Sequence, residues 1–493
     1  MIEMGSMDRR SVLRGAAVAA GGAVLGGPFA GFLAREAAAQ PPHRELRPVP
    51  DLRDDTVRLW LPDGFTYRSF HDKDGPAITL DDGTSLPGRH DGMAAFPGRN
   101  GNVWLVRNHE VNGNSPGGAF GPGDPYDGAA LGGTTSVLVT PFGEVIEAHT
   151  SLNGTMMNCS GGPMPWGSWI TCEETINGPD VGPDFTGTPN VDLEQPHGFI
   201  FEVPAGGQSD RTPIRKAGRF AHEAVAFDPH DGILYLTEDN FAYPSGFYRY
   251  IPPEHPMDAG RLLDGGRLQM LAVTGTPNAD LAKSQRKHAR FDVTWVDIDD
   301  PDPDFPYTPG EPAPTSNNEA ITYVGDQGRA RGAAWFSRLE GCVYDHGMVY
   351  FCSTQGGGDS EGGPEPSGDG YGNGRGQIWA YNTHAGTLTM LYESPGEDTL
   401  DFPDNVTTSA RGTLVLCEDG GGDNYLRGLN RGGQIFDIAL NRLRGNEPPH
   451  EPRFGEEFAG TTFSPDGHTL YVNVQSSDGI TFAIWGPWHR IRV

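Results

Sequence analysis

One cysteine stands apart in this sequence as a residue that could do chemistry. Cys159 lies in the turn-like segment NCSGG, whereas the other four cysteines fall within apolar, strand-like runs. Five cysteines is an odd number, so at least one cannot pair within the chain. A thiolate among carboxylates suits a transition metal, and a bound metal would keep the sulfur deprotonated. Cys159 is therefore a candidate metal ligand, with a buried thiol as the alternative.

The candidate carboxylates follow a repeated unit of two apolar strands joined by a Gly-containing turn. The clearest copy, HEAVAFDPHDGILYLTEDN, begins at His222. The other five copies begin at His90, Gly154, Leu339, Pro403 and Phe458. Several are followed by a further Gly-led aromatic strand, such as HGFIFEV or GQIWAYN, which gives three or four strands per unit. This spacing predicts an all-β fold, a six-bladed β-propeller, in which VRLWLPDGFTYRSF supplies the strand that closes the ring. Two packed sheets of a sandwich are the alternative, but they leave the repeat unexplained.

Aligning the six units places acidic residues at two repeated positions. The position before the first strand holds Asp91, Cys159 or Ser160, Glu223, Glu340, Asp404 and Ala459. The position that ends the second strand holds Asn108, Glu173, Glu238, Ser353, Glu418 and Val474. The innermost strand of each propeller blade lines the central channel, so these side chains would converge on the axis. Carboxylates gathered that closely need protons or cations to offset their charge. We therefore predict a metal cluster in the central channel.

Turn formation is the alternative for some of these acids. Asp and Asn at strand ends often only make turns, which is a competing interpretation for Glu418 in CEDGGGDN. Glu223 and Glu340 are flanked by apolar sequence without a turn signal, which favours metal ligation. His222 and His109 are candidates either for ligands or for residues that orient ligands.

The first residues have the pattern of an export signal. Arg9 and Arg10 precede an apolar Ala/Gly-rich run and the small-residue segment AREAAAQ, as in twin-arginine signals. A membrane span is the alternative, but the run is rich in glycine and lacks a stop-transfer flank. We expect residues 1–39 to be a signal peptide and 40–493 to be a single domain. The protein would pass through the Tat export machinery and be periplasmic or secreted.

Its net charge of −29 argues against nucleic-acid binding.

Several motifs together resemble those of the PhoX-type alkaline phosphatases. They are NCSGGPMPWGSWITCEET, GRFAHEAVAFDP, RLEGCVY, PDNV with CEDGGGDN, and FAGTTFSPDGHTLYVNVQ, and the similarity runs from about Leu61 to Gln475. The resemblance implies a six-bladed propeller whose channel holds Fe³⁺ and Ca²⁺ ions bridged by an oxo group. It also implies hydrolysis of small phosphate monoesters at alkaline pH, by attack of the bridging oxide or hydroxide on phosphorus.

The resemblance also assigns residues. The metal ligands that it implies are Cys159, Glu173, Glu223, Glu340, Asp404 and Glu418. Arg338 matches a position expected to hold the substrate phosphate, with a salt bridge to a carboxylate as the alternative. We expect a monomer. Two other functions stay open at this point: a calcium-dependent propeller lactonase or esterase, and a non-catalytic propeller that serves as a binding module.

Overall fold

The computed structural model of the protein describes residues 45–493 except 264 and 364–365. The predicted signal peptide, residues 1–39, lies outside the described residues. Within the described part, regular structure is almost entirely β, and no helix is long and apolar enough to cross a membrane. The two α-helices described are α1 (Asn317–Ala330) and α2 (Trp488–Ile491). Ser316 and Glu319 form a capping box at the start of α1.

The strands form six blades, each starting with an inner strand that pairs antiparallel with the next strand in sequence. The first two blades are β4 (His90–Pro97), β5 (Val103–His109), β6 (Gly132–Val139) and β7 (Val145–Thr155), then β8 (Asn158–Pro163), β9 (Ser168–Glu173) and β10 (Ile200–Pro204). The third is β11 (His222–Asp228), β12 (Ile233–Glu238), β13 (Phe247–Ile251), β14 (Arg267–Val273) and β15 (Arg290–Asp297). The fourth is β16 (Leu339–Asp345), β17 (Met348–Ser353), β18 (Gln377–Asn382) and β19 (Thr387–Glu393), joined to the third through β15 and β19. The last two are β20 (Pro403–Thr408), β21 (Leu414–Glu418), β22 (Tyr425–Leu429) and β23 (Ile435–Asn441), then β24 (Phe458–Phe463), β25 (Thr469–Val474) and β26 (Ile480–Trp485).

The chain before the first blade completes the last two. Strands β1 (Arg47–Pro50) and β2 (Val57–Leu61) extend the fifth blade, and β3 (Thr66–Phe70) pairs with β26 as the outer strand of the sixth. The inner strands contact one another in order around the axis, and the sixth also contacts the first. The ring is therefore closed by a strand from the N-terminal segment, and the predicted all-β six-bladed propeller is confirmed. Apolar side chains fill the space between adjacent blades, as where Phe247 of the third stacks on Phe351 of the fourth at 4.4 Å.

Each inner strand contains a bulge two residues from its start. In the third blade His222 pairs with Glu238 but Val225 pairs with Leu236, so β11 holds one extra residue. The same shift occurs in the inner strands of the other five blades. A bulge bends the strand and redirects its side chains. Here the bulge turns the side chain of the second residue of each inner strand, such as Glu223 in β11, toward the propeller axis.

Glycines at the bulges let neighbouring inner strands approach closely. A Cβ on Gly341 would lie 2.7 Å from the backbone of Asp404 and Asn405 in the next blade. A Cβ on Gly92 would lie 2.6 Å from the carbonyl oxygen of Cys159. Because Cβ atoms do not tolerate such distances, only glycine fits at these two points. The close approach narrows the channel and brings side chains from different blades within reach of one ion.

Candidate metal and phosphate site

An acidic cavity of about 340 Å³ lies where the six inner strands begin. It is lined by nine carboxyl groups, two arginines and one thiol, together with four uncharged residues. The lining residues are Arg89, Asp91, Glu110, Met157, Cys159, Glu174, Phe185, Glu223, Asp239, Phe241, Arg338, Glu340, Asp404, Asp419, Glu457 and Gln475. An excess of acids in one buried space is typical of a site that binds cations.

Nearly all of these residues come from three repeated positions in the blades. The residue at the bulge is Asp91, Cys159, Glu223, Glu340 or Asp404. The residue just before the inner strand is Arg89, Met157, Arg338 or Glu457, and the residue just after the second strand is Glu110, Glu174, Asp239, Asp419 or Gln475. In all six blades the backbone N–H after the second strand donates to the carbonyl before the inner strand, over 2.9–3.2 Å. This hydrogen bond clamps each hairpin where it meets the cavity.

The residue before the inner strand is often held in a left-handed backbone conformation. Arg89, Met157, Arg338 and Phe402 have φ values of 47°, 44°, 35° and 49°. None of them is glycine, so each conformation costs about 1–3 kcal/mol, which the surrounding structure must supply. The repeated clamp described above fixes this position. Strain of this kind concentrates at functional sites.

Within the cavity, two groups of three side chains are spaced to share an ion. One comprises Cys159, Glu174 and Glu223, and the other comprises Glu223, Glu340 and Asp404; within each group the ligand atoms lie within 4.8 Å of one another. Glu223 belongs to both, so its carboxylate is placed to bridge two neighbouring ions. The thiol-containing group suits a transition metal, and the all-carboxylate group suits a hard cation such as Ca²⁺. The donor set therefore fits the predicted metal cluster.

Without cations, burial and mutual repulsion keep protons on these acids. The pKa of Glu223 lies well above its usual range because of burial and then the charges of Asp404 and Asp91. Burial, followed by the charge of Asp419, raises the pKa of Asp404 to about 8. Burial and Glu223 likewise raise the pKa of the Cys159 thiol. Such groups ionise readily only when a positive charge is supplied next to them.

Cys159 is fixed in position by the backbone around it. Its Sγ lies 3.2 Å from the carbonyl oxygen of His222 in the neighbouring blade. Its own carbonyl accepts a 2.9 Å hydrogen bond from the Asn108 side chain of the first blade. The cysteines of the described chain form no disulfides, and all five are buried. The sulfur is thus held at the cavity wall by contacts with both adjacent blades.

Arg338 is the positive group nearest the two ligand groups. Its Nε and Nη2 donate to Asp239, with Nη2 at 2.6 Å, and Nη2 also reaches Glu340 at 3.2 Å. The guanidinium packs over the ring of Phe241 at 5.1 Å. Although burial lowers it, the pKa of Arg338 is raised overall by Asp239 and Glu340, so the residue keeps its charge. The salt bridge considered as an alternative is present, yet the side chain still lines the cavity and is 16% exposed.

Glu173 and Glu418 lie outside the cavity, and the residue that follows each of them lines it instead. The Glu173 carboxylate accepts from the His197 ring at 2.6 Å and from three backbone N–H groups at 2.9–3.1 Å. Glu418 pairs with Arg427 at 2.7 Å and accepts from two backbone N–H groups. Successive side chains of a strand face opposite sides. The side chain of the last strand residue therefore points away from the cavity when that of the following residue points into it. The geometry favours Glu174 and Asp419 as ligands.

The two histidines considered above also point away from the cavity. His222 Nε2 hydrogen-bonds the Gly218 carbonyl at 2.9 Å, and its ring stacks on Phe220. His109 bonds the Gly88 carbonyl and the Thr135 hydroxyl at 2.8 and 2.9 Å. Both rings stabilise the hairpins that carry cavity residues.

Comparison with known proteins agrees with this architecture. The sequence matches the family described as alkaline phosphatase PhoX over residues 143–478. PhoX of Pseudomonas fluorescens, solved in complex with vanadate, a transition state analogue, superposes with a TM-score of 0.62 at 16% identity, covering 90% of this chain and 98% of that one. A gluconolactonase of Xanthomonas campestris gives a TM-score of 0.40 at 11% identity, over 92% of this chain and 99% of that one. No curated protein sequence matches the chain. The family match spans more than half of the sequence, and the chain belongs to the alkaline phosphatase PhoX family.

Proposed function

We propose that this protein is an exported, metal-dependent phosphomonoesterase that releases inorganic phosphate from organic phosphate esters. The observation that carries the proposal is the cavity in which Cys159, Glu223, Glu340 and Arg338 meet. Family membership supports the reaction class, and so does the vanadate complex of the Pseudomonas protein, since vanadate is described there as a transition state analogue.

The residues fit a mixed metal centre. We propose Fe³⁺ for the group that contains Cys159 and Ca²⁺ for the carboxylate groups. Bound metal ions supply Lewis acidity and an activated oxygen nucleophile in phosphoryl transfer. The chain contributes the ligands, the exclusion of bulk water, and the position of the substrate.

Arg338 is the residue that would bind the phosphoryl group. Asp239 engages Nε and Nη2 and so fixes the plane of the guanidinium. Within the described residues, Nη1 is not seen to donate a hydrogen bond, which leaves it available to donate to a phosphoryl oxygen. A fixed, charged donor stabilises the negative charge of the transition state without reorganising first. The role of Asp239 is thus to orient Arg338.

The proposal extends to location and assembly. Residues 1–39 carry the twin-arginine pattern, which motivates export in a folded state to the periplasm or beyond. We propose that the mature protein acts as a monomer on small phosphate esters.

Metal analysis of natively exported protein, combined with turnover of p-nitrophenyl phosphate, tests the proposal. We expect iron together with calcium, and loss of both metal and turnover in Glu223→Gln, because this residue belongs to both ligand groups. The mature mass and compartment of the exported protein test the signal peptide. Absence of turnover in protein that contains its metals would refute the phosphatase assignment.

The two alternatives predict different results. A calcium-dependent lactonase or esterase would contain no iron and keep full activity after Cys159→Ser. A binding module would show no turnover and would be unchanged by Arg338→Ala.

A further inference from the structure

Two phenylalanines are exposed at the mouth of the acidic cavity. Phe185 is 87% exposed and Phe241 is 53% exposed, and both line the cavity. Large apolar side chains are unfavourable in water, so their display beside a cavity is typical of contact with a ligand. The acids, the thiol and the two arginines account for cation and phosphate binding, whereas a phenylalanine ring offers no ligand atom to a metal and no hydrogen bond to a phosphate.

Phe185 is held in place by its own turn. The N–H of Gly187 donates to the carbonyl of Asp184 at 3.0 Å, which closes a turn with Phe185 at its second position. The Asp184 carboxylate accepts from the side chains of Asn112 and Asn177 at 3.0 and 2.9 Å. These bonds tie the turn to two other segments. The exposed ring is therefore presented by a fixed scaffold.

Phe241 lies next to the proposed phosphate-binding group. Its ring packs against the guanidinium of Arg338 at 5.1 Å, and its carbonyl accepts a 2.7 Å hydrogen bond from the N–H of Tyr371. The ring is therefore close to any group esterified to a phosphate that Arg338 holds. Phe241 is thus placed to contact the alcohol part of a phosphate ester.

The apolar residues occupy one side of the mouth. Phe185 follows the second blade's β9 and Phe241 follows the third blade's β12, whereas Asp404, Asp419 and Glu457 belong to the fifth and sixth blades. Carboxylates line the cavity on both sides, but its two aromatic lining residues both come from the second and third blades. The cavity itself therefore directs the apolar end of a substrate.

We propose that Phe185 and Phe241 form a subsite for an aromatic leaving group, so that aryl-bearing phosphate esters are the preferred substrate class. The inference rests on the proposed phosphatase function. Stacking between aromatic rings is worth about 0.5–1.5 kcal/mol beyond simple burial, which corresponds to about 2- to 10-fold in affinity.

The test compares benzyl phosphate with ethyl phosphate, since both esters release a primary alcohol and differ mainly in the ring. Metal-loaded wild-type protein should hydrolyse benzyl phosphate with the higher kcat/KM. Phe185→Ala should raise the KM for benzyl phosphate and so reduce that preference by about 2- to 10-fold. The kcat/KM for ethyl phosphate should change little. Phe142→Ala is the matched control, because Phe142 is 51% exposed but lies away from the cavity. Phe241→Leu should act in the same direction as Phe185→Ala.

A binding measurement separates this inference from the phosphatase assignment. Calorimetry with benzylphosphonate and methylphosphonate, which cannot be hydrolysed as esters, should show tighter binding of the benzyl compound and loss of the difference in Phe185→Ala. If neither ester is hydrolysed but the phosphonates differ as stated, the subsite stands and the phosphatase assignment fails. If Phe185→Ala weakens both esters and both phosphonates equally, or weakens none of them, the subsite is refuted.

Discussion

His197 gives a stability prediction that tests the framework behind the cavity. Its ring lies between two carboxylates, with Nδ1 at 2.6 Å from Glu173 and Nε2 at 3.4 Å from Asp127, and all three side chains are fully buried. Burial lowers the pKa of His197, but the charge of Glu173 and the hydrogen bonds to both carboxylates outweigh it and raise the pKa to about 9. The imidazolium form is therefore the stable one in the folded protein.

The expected pH dependence follows from the difference between the folded and unfolded states. With a pKa of about 9 when folded and 6.5 when unfolded, His197 contributes about 3 kcal/mol to the free energy of unfolding, at about 1.4 kcal/mol per pKa unit. Because the folded-state pKa is the raised one, this contribution is complete below pH 6.5 and is lost as the pH rises through about 9.

The assay is urea unfolding followed by tryptophan fluorescence, for wild type and His197→Gln, from about pH 6 to about pH 10. The difference between the two proteins should shrink by about 3 kcal/mol over this range. His230→Gln is the matched control, since the side chain of His230 is 69% exposed and its ion pair is with the adjacent Asp231. A difference that stays constant with pH would show that folding does not raise the pKa of His197, and the reasoning would fail.

Three further predictions concern the cavity. Glu174→Gln should lower the amount of bound metal, measured by elemental analysis. Glu173→Gln should keep the metal but lower the free energy of unfolding by about 1–3 kcal/mol in urea, because the groups that donate hydrogen bonds to Glu173 remain buried. Equal metal content in the two variants would contradict the geometry. Arg338→Lys should lower kcat by about 10²–10³-fold, since lysine lacks the planar fork; steady-state kinetics measure this, and a change in KM alone would argue against it. Protein stripped of metal by a chelator should lose thermal stability as the pH rises from about 4 to about 8. The pKa of Asp404 is raised to about 8 in the folded state, so over this range the folded state binds more protons than the unfolded state. Metal-loaded protein should not show this loss. If the melting temperatures of the chelated and the metal-loaded protein changed with pH in the same way, the prediction would be contradicted.

The sequence was sufficient to predict the repeat and one of the repeated cavity positions. Each unit shows two apolar strands and a Gly-containing turn, and these features depend on local residue types that are visible in the chain. Glu223 and Glu340 could be predicted because they are flanked by apolar sequence without a turn signal, and Asp404 because it occupies the same position of the repeat. The closing strand β3 was found for a similar reason, since an isolated apolar segment before the first blade needs a partner.

At the end of the second strand of most blades, the predicted residue lies one position before the residue that lines the cavity, and the cause is physical. The sequence shows where a strand ends, but the side-chain direction at that end depends on the register with the bulged partner. Glu173 ends β9 and faces His197, and the cavity therefore receives Glu174. Arg89 and Glu457 were not predicted at all, because the equivalent position in other blades holds residues as different as Met157, and no common residue type marks it.

The closure of the ring by β3 has a consequence for how the protein is made. Phe70 pairs with Thr481, so the sixth blade is complete only when segments from opposite ends of the chain have met. During synthesis on the ribosome, five blades can emerge before Glu457 exists to face Asp91. Long-range pairings of this kind slow folding and leave strand edges open until the end. The sixth blade, preceded by the cavity residue Glu457, is thus completed last, and a chain that lacked β3 would leave β26 without its outer partner.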